Sequence, residues 1–198
     1  MVEVIFTRLA KRNKERRTIG FFGADSGVGT THLAIAAAHY VVNEWGIPAA
    51  VAEMGDHPCL QALNEDEAGT DPFVMDGVGY YPHMEPAQIP QLLNSAYRYV
   101  MMDMGCSDGC WQEFLRCDLK YVVASLSPWR MGHAESFMRQ HEEELKNNYV
   151  TALLTLSGNV YEKKKFQRTY HVPVRTIPLI ADPFWLEKEH MAFFQELL

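Results

Sequence analysis

The chain has 198 residues, of which 47% are hydrophobic and 22% are charged, and these proportions fit a folded domain rather than a disordered one. The formal net charge of −7 argues against strong nucleic-acid binding, because that activity needs a broad positive surface. No apolar run reaches the roughly 18–20 residues that span a bilayer, so direct membrane insertion is not expected. No signal peptide is recognisable, and we expect a cytoplasmic protein whose four cysteines are reduced thiols.

Residues 1–17 differ from the rest of the chain and predict a leader or linker. A short apolar stretch is followed by a basic cluster, which consists of Lys11, Arg12, Lys14, Arg16 and Arg17. Such a run is typical of a solvated linker, as in the stub of a longer protein, and the alternative is a docking arm. Residues 18–198 then form one domain, which is long enough to bury a substantial core.

Apolar runs that alternate with helical patterns predict the architecture of this domain. Six runs have the character of buried strands: residues 18–22, 49–53, 99–104, 121–125, 150–156 and 174–177. Helical patterns separate most of them: residues 31–45, 86–96, 111–117, 133–146, 161–169 and 183–198. Right-handed crossovers between such strands produce an α/β fold, in which a mostly parallel sheet has helices on both faces in three layers. Residues 61–83 follow neither pattern, and we expect them on the surface, where a partner contact could lie.

A glycine-rich segment, residues 23–32, joins the first strand to the first helix. Gly27 and Gly29 allow its backbone to curl until successive N–H groups point at one anion. The N-terminus of the helix adds partial positive charge, so the segment is expected to hold phosphates. The residues expected to bind them are Ser26, Gly27, Val28, Gly29, Thr30, Thr31 and His32. The Thr31 hydroxyl is also placed to bind Mg²⁺.

This segment resembles the deviant P-loop of the MinD/ParA family, xKGGVGKTT, with residues 27–29 and Thr31 in register. The apolar run that ends at Asp103 is similar to the family's Walker B strand, and Pro178 lies in a segment that resembles the late loop beside the base. The likeness runs from residue 18 to residue 183. It implies a P-loop NTPase-like domain that binds ATP and Mg²⁺, with Pro178 at the base and with Thr31 and Asp103 at the metal.

Several positions depart from the family pattern, and among them are the positions of both lysines. Thr30 stands at the place of the P-loop lysine, Asp25 at that of the signature lysine and Ala24 at that of the first glycine. Residues 53–56 replace the usual Asp-x-Asp, unless Asp56 takes the place of its second acid. Phosphoryl transfer depends on positive charge beside the transferred group, so we expect no efficient ATPase activity and expect Asp25 to repel phosphates.

A lysine-free loop of this kind is similar to a subgroup of the family, the TadZ/CpaE proteins of pilus assembly and the BcsQ proteins of cellulose secretion. The resemblance implies a nucleotide-binding scaffold or regulator that positions or assembles a membrane-associated machine such as a pilus or a secretion system. The partners would be proteins of that assembly, and the chain would be a monomer or a homodimer that depends weakly on ATP. Two alternatives stay open: a pseudo-ATPase interaction module that binds no nucleotide, and a slow ATPase or small-molecule kinase.

Other groups give weaker indications. Three cysteines cluster between residues 106 and 117, but the sequence has no CxxC pair and no nearby histidine, so thiols are expected rather than a zinc site. His133 and His141 flank an acidic helix and are expected on a solvated face. Residues 191–198 lack the basic face of a membrane-binding helix, and we expect them to pack onto the domain or onto a partner.

Overall fold

A computed structural model describes residues 16–56, 59–64, 71–147 and 149–198. These ranges contain eight strands: β1 Arg17–Gly23, β2 Ala49–Glu53, β3 Phe73–Met75, β4 Val78–Tyr81, β5 Tyr99–Asp103, β6 Leu119–Val123, β7 Ala152–Thr155 and β8 Val174–Thr176. They also contain seven α-helices: α1 Thr30–Trp45, α2 Ile89–Leu93, α3 Trp111–Arg116, α4 Met131–Gln140, α5 Glu142–Lys146, α6 Val160–Tyr170 and α7 Lys188–Leu197. Short 3₁₀ helices span Leu60–Leu63, Pro86–Gln88 and Asp108–Cys110.

The strands form one sheet in the order β3-β4-β2-β5-β1-β6-β7-β8. Every neighbouring pair is parallel except β3 and β4, which are antiparallel. In the centre, Phe21 of β1 lies opposite Asp103 of β5 on one side and Tyr121 of β6 on the other. Parallel neighbours bring their carboxyl ends to one edge of the sheet, which is where ligands bind in such folds. The predicted α/β fold with a mostly parallel sheet is confirmed.

Helices cover both faces of the sheet because its central strands are apolar on both faces. Side chains alternate along an extended strand, so Ile19 and Phe21 join the core that contains α1 and α7, whereas Phe22 joins the core that contains α3 and α4. Residues 34–38 of α1 are all buried, and four of these five are alanines. Small side chains allow this helix to approach the sheet closely. The result is the predicted three-layer arrangement.

The expectation that residues 61–83 are irregular and lie on the surface is wrong for much of this segment. Strands β3 and β4 form a hairpin there, joined by Asp76 and Gly77, which have φ of 50° and 79°. An Asp-Gly pair between two apolar runs is a strong sequence indication of such a turn. Tyr80 is fully buried, stacks on Phe73 with ring centroids 5.1 Å apart, and lies 2.9 Å from His39 Nε2 through its hydroxyl. Residues 65–70 of this segment lie outside the described residues.

Two helix boundaries differ from the predictions for local reasons. The predicted helix 133–146 divides at His141, whose φ of −109° and ψ of 28° depart from helical values. The last helix begins at Lys188 rather than at residue 183, because Glu187 caps its N-terminus in a capping box.

The first strand begins at the end of the predicted leader. Arg17 pairs with Tyr99 in the sheet. The guanidinium of Arg16 donates to the carbonyl oxygens of Tyr97 and Ser95, at 3.0 and 2.6 Å. Residues 1–15, which make up most of the predicted leader, lie outside the described residues, so a boundary at residue 18 remains a prediction.

The C-terminal helix packs onto the domain, one of the two outcomes expected for it. Phe194, Leu197 and Leu198 are buried in the core that contains α1. The hydroxyl of Tyr121 donates to the Leu197 carbonyl oxygen at 2.5 Å and ties this helix to β6. Within the described part of the chain, no helix combines the length and the apolar character needed to cross a membrane.

Candidate functional site

The loop between β1 and α1 has a backbone suited to anion binding. Gly27 and Gly29 have φ of 66° and 95°, a left-handed region that other residues rarely occupy. Gly29 is the N-cap of α1, and no side chain caps this helix. A Cβ added at either glycine would meet no atom within 4 Å, so the space beside the loop is open. The N–H groups at the start of α1 can therefore interact with an anion in that space.

Two cavities at the carboxyl edge of the sheet share this loop. The first has a volume of about 340 Å³ and the second of about 260 Å³. Of the predicted site residues, the first cavity is lined by Ser26, Gly27, Gly29, Thr30, Thr31, His32 and Asp103, and the second by Gly27, Val28, Gly29, His32 and Pro178. Leu156, Ile177, Leu179 and Ile180 also line the second cavity, which is therefore largely apolar. All residues predicted to bind nucleotide or metal thus border one or both of two adjacent spaces.

Thr31 and Asp103, the predicted metal ligands, are in direct contact. The Thr31 hydroxyl donates to Asp103 Oδ2 at 2.5 Å, and the N–H of Gly105 donates to Asp103 Oδ1 at 3.1 Å. Burial raises the pKa of Asp103 above the usual aspartate value, while hydrogen bonds from Thr31, Gly105 and Thr30 act in the opposite direction. The contact brings a hydroxyl and a carboxyl oxygen to one point of the first cavity, an arrangement that suits a hard cation.

Glu53 lies beside Asp103, and the sequence did not mark it as a site residue. The two residues are opposite each other on β2 and β5, and both line the first cavity. Glu53 Oε1 accepts hydrogen bonds from the N–H groups of Cys59, at 2.5 Å, and of Leu60, at 3.2 Å. Burial raises the pKa of Glu53, hydrogen bonds from Cys59 and Leu60 oppose the rise, and the neighbouring charge of Asp103 adds to it. Sequence reasoning missed this residue because its place beside Asp103 depends on the order of the strands in the sheet.

The first cavity is acidic. Four carboxyl side chains line it, those of Asp25, Glu53, Asp56 and Asp103. Among the described residues, neither a lysine nor an arginine lines it. The described residues that line this cavity therefore supply no lysine or arginine charge to balance its carboxyl groups.

Asp25 has a cationic partner that the sequence did not predict. Arg130, in the loop between β6 and α4, donates to Asp25 Oδ2 through Nη2 at 2.5 Å and through Nε at 3.1 Å. Its Nη2 also donates to the Ser26 carbonyl oxygen at 2.6 Å, and His133 Nδ1 lies 3.7 Å from Asp25 Oδ2. Partial burial acts to raise the pKa of Asp25, but hydrogen bonds from Arg130 and from the Ser26 N–H, with the charges of Arg130 and His133, lower it overall. The negative charge that was expected to repel phosphates is therefore paired with Arg130.

The histidine and cysteine expectations have mixed outcomes. His133 is exposed as expected, whereas His141 is buried against Trp111, with ring centroids 3.8 Å apart, so its predicted solvated face is wrong. The four cysteines form no disulfide bond among the described residues. Burial and acidic neighbours raise the pKa values of Cys106 and Cys110, which disfavours thiolate chemistry. No group of three His, Cys, Asp or Glu side chains within the described ranges could by itself hold a metal ion.

The fold and the loop together define a P-loop NTPase-like α/β domain. No family model and no curated protein matches the sequence. Among solved structures, a ParA family ATPase from Chlorobium tepidum TLS is 15% identical, with a TM-score of 0.63 over 84% of this chain and 85% of that chain. The MinC:MinD cell division protein complex from Aquifex aeolicus is 12% identical, with a TM-score of 0.67 over 90% of this chain and 92% of that chain.

A third similar structure is cobyrinic acid a,c-diamide synthase from Mycobacterium smegmatis, solved with an ATP analogue and magnesium. It is 14% identical, with a TM-score of 0.65 over 91% of this chain and 92% of that chain. At these identities the likeness concerns the fold alone. The chain therefore has the fold of ParA- and MinD-type ATPases, a fold that also serves an enzyme of a different activity.

Proposed function

We propose that the chain is a nucleotide-binding scaffold or regulator that binds ATP with Mg²⁺ and hydrolyses it slowly or not at all. One observation carries the proposal: the residues predicted from the sequence line two adjacent cavities at the carboxyl edge of the sheet. The first cavity borders the loop with its open glycines, where N–H groups at the start of α1 can interact with phosphates. The second is apolar and borders Pro178, which suits a base.

The residues present fit both the nucleotide and Mg²⁺. Backbone N–H groups of residues 27–32 would hold the phosphates, with the N-terminus of the 16-residue helix α1 adding partial positive charge. Thr31 and Asp103 would hold Mg²⁺, which offsets phosphate charge when bound. Val28, Leu156 and Pro178 would contact the base. Since neither a lysine nor an arginine of the described residues lines the phosphate cavity, binding without efficient turnover is the expected behaviour.

The proposed setting is a membrane-associated assembly such as a pilus or a secretion system, as in the lysine-free subgroup that the loop resembles. Large exposed apolar side chains support the proposal that a protein partner binds this domain. Trp129, Tyr161 and Leu179 are 81%, 71% and 81% exposed and follow β6, β7 and β8 at the edge that carries the cavities. Aromatic side chains of this kind are common at the centres of protein interfaces. A partner bound there would sense whether the adjacent cavities are filled.

The second candidate is an interaction module that binds no nucleotide. The four carboxyl groups that line the first cavity favour it, because they would repel a triphosphate. Both candidates use the same fold and the same exposed edge. Nucleotide binding therefore separates them.

The test is thermal unfolding with and without millimolar ATP and MgCl₂, supported by calorimetric titration. A ligand that binds only the folded state must raise the melting temperature. Gly29→Val should abolish this rise, since a side chain there would enter the phosphate space. Gly46→Val is the matched control: Gly46 ends the same helix, has φ of 62°, and a Cβ there also meets no atom within 4 Å.

Both variants should lose similar stability from backbone strain, and only Gly29→Val should lose the response to ATP. An undiminished response in Gly29→Val would move the site elsewhere. No response in the unchanged protein would favour the interaction module.

A further inference from the structure

Glu53 is a buried carboxyl group whose hydrogen bonding is incomplete. Its side chain is 1% exposed, and its Oε1 accepts two backbone N–H groups. Its Oε2 is buried and has no hydrogen-bond partner among the described residues. Buried carboxylate oxygens are costly unless a donor or a cation satisfies them. The fold therefore leaves a ligand position open at Oε2.

The neighbours of Glu53 indicate the kind of ligand. Glu53 and Asp103 are opposite each other on adjacent parallel strands, which lie about 4.8 Å apart in a sheet. Asp103 contacts the Thr31 hydroxyl, and all three residues line the first cavity. Two carboxyl groups and one hydroxyl therefore line the same cavity. These are hard oxygen donors, which suit Mg²⁺ or Mn²⁺, and waters complete the coordination of such ions.

We propose that Glu53 is a further ligand, directly or through a water, of a divalent cation that Asp103 and Thr31 also hold, and that this cation binds before nucleotide. The inference rests on the proposed function, because it concerns the same cavity. It adds a residue outside the predicted metal pair and an order of binding.

The charges of the cavity give the reason for this order. Of the four carboxyl side chains that line the cavity, Asp25 is paired with Arg130. The other three have no lysine or arginine beside them in the described part of the lining, so a triphosphate that enters alone is repelled. A divalent cation that enters first is attracted by the same carboxyl groups. It then supplies positive charge at the loop, where Thr30 stands in place of a lysine. The carboxyl groups that disfavour binding of free nucleotide therefore favour binding of the cation.

The experiment is a calorimetric titration of MnCl₂ into nucleotide-free protein, with free Mn²⁺ followed by electron paramagnetic resonance. The unchanged protein should bind one Mn²⁺ per chain. Glu53→Gln keeps the oxygen that accepts from Cys59 and Leu60 and replaces the other oxygen by an amide donor. It should weaken Mn²⁺ binding by about tenfold or more, as changes around metal ligands commonly do.

Asp56→Asn is the matched control, since it removes one charge from the same cavity at an exposed position. It should weaken Mn²⁺ binding by only about twofold, because exposed charges are screened. The melting temperature in EDTA verifies that Glu53→Gln is folded. Glu53→Asp, which keeps the charge but moves the carboxylate, is the second variant and should also weaken Mn²⁺ binding.

Equal losses of Mn²⁺ affinity in Glu53→Gln and Asp56→Asn would show that the cavity attracts the cation only through its overall charge, and this result would overturn the proposal. An absence of Mn²⁺ binding to the unchanged protein would also overturn it. A separate ATP titration distinguishes this failure from failure of the proposed function. ATP binding in EDTA, without an Mn²⁺ site, overturns the inference and keeps the nucleotide site. An Mn²⁺ site that depends on Glu53, in protein that does not bind ATP, supports the inference and contradicts the nucleotide function.

Discussion

Replacing Asp25 by asparagine should make the protein less stable and its nucleotide binding tighter. Asp25 is ion-paired with Arg130, and the two side chains are 21% and 33% exposed. Partly exposed pairs of this kind contribute about 1 kcal/mol. For a domain of this length, such a loss lowers the melting temperature by about 3 °C.

The effect on affinity has the opposite sign. Asp25 lines the first cavity, and a unit charge about 8 Å from a phosphate contributes about 2 kcal/mol at an effective dielectric constant of 20. Arg130 offsets part of this repulsion, so Asp25→Asn should tighten ATP binding by about 1 kcal/mol, which is about fivefold. The assays are thermal unfolding without ligand and calorimetric titration with ATP and MgCl₂.

The stability difference should also depend on pH. The folded pKa of Asp25 is lowered, so its stabilisation is fully present above the usual aspartate pKa, near 4. It declines as the pH falls through the folded pKa, because the unfolded chain takes up the proton first. The melting temperatures of the unchanged protein and of Asp25→Asn should therefore converge in acid.

Glu113→Gln is the control, since it neutralises an acid paired with Arg116 on the surface of α3. It should leave ATP affinity unchanged. Weaker or unchanged ATP binding in Asp25→Asn would refute the reasoning, because the cavity would then not hold phosphates near this side chain.

Two further predictions concern association and packing. Sedimentation with and without ATP should show a monomer, or a dimer whose affinity hardly changes with ATP. The reason is that Asp25 stands where a lysine would reach a partner's phosphates. Tight dimerisation induced by ATP would contradict this prediction. Gly20→Ala should destabilise the protein by about 1–3 kcal/mol in chemical denaturation, since its Cβ would lie 2.8 Å from Phe114 Cδ2 in a closed core. Gly132→Ala near the start of α4, where a Cβ meets no atom within 4 Å, should instead leave the stability unchanged or raise it by up to about 0.5–1 kcal/mol. A loss as large as that of Gly20→Ala would count against the packing argument.

The elements that the sequence predicted well are those whose causes are local. The apolar run of β1, the glycines at 27 and 29 and the alanine-rich start of α1 follow one another along the chain, and together they specify a strand, an anion-binding turn and a buried helix. The hairpin of β3 and β4 was missed although its turn is also local. Several glycines and acids in residues 61–83 obscured the Asp76-Gly77 pair, and the burial of Tyr80 depends on α1, far away in sequence.

The site residues that the sequence did not predict depend on contacts between distant segments. Arg130 and Asp25 are 105 residues apart, and only the position of β6 beside β1 brings them together. Glu53 lies at the carboxyl end of β2, next to β5 in the sheet, so its place beside Asp103 follows from the strand order. Strand order is not readable from apolar runs alone, and the charges of the site could not be assigned without it.

The position of Arg130 also bears on how a lysine-free loop could respond to nucleotide. In the family that the loop resembles, a lysine at the place of Asp25 reaches across a dimer to the partner's nucleotide. Here the cation beside the loop comes from the same chain, and its guanidinium bonds the side chain of Asp25 and the backbone of Ser26 at once. A phosphate that competes for Arg130, or a cation that competes for Asp25, must change this contact, and Arg130 precedes α4 directly. Trp129, the exposed neighbour of Arg130, would move with it. A change at the glycine-rich loop can therefore reach the exposed side chain of Trp129 through adjacent residues of the same chain. This arrangement is compatible with the proposed scaffold, which would respond to nucleotide without turnover and without a second copy.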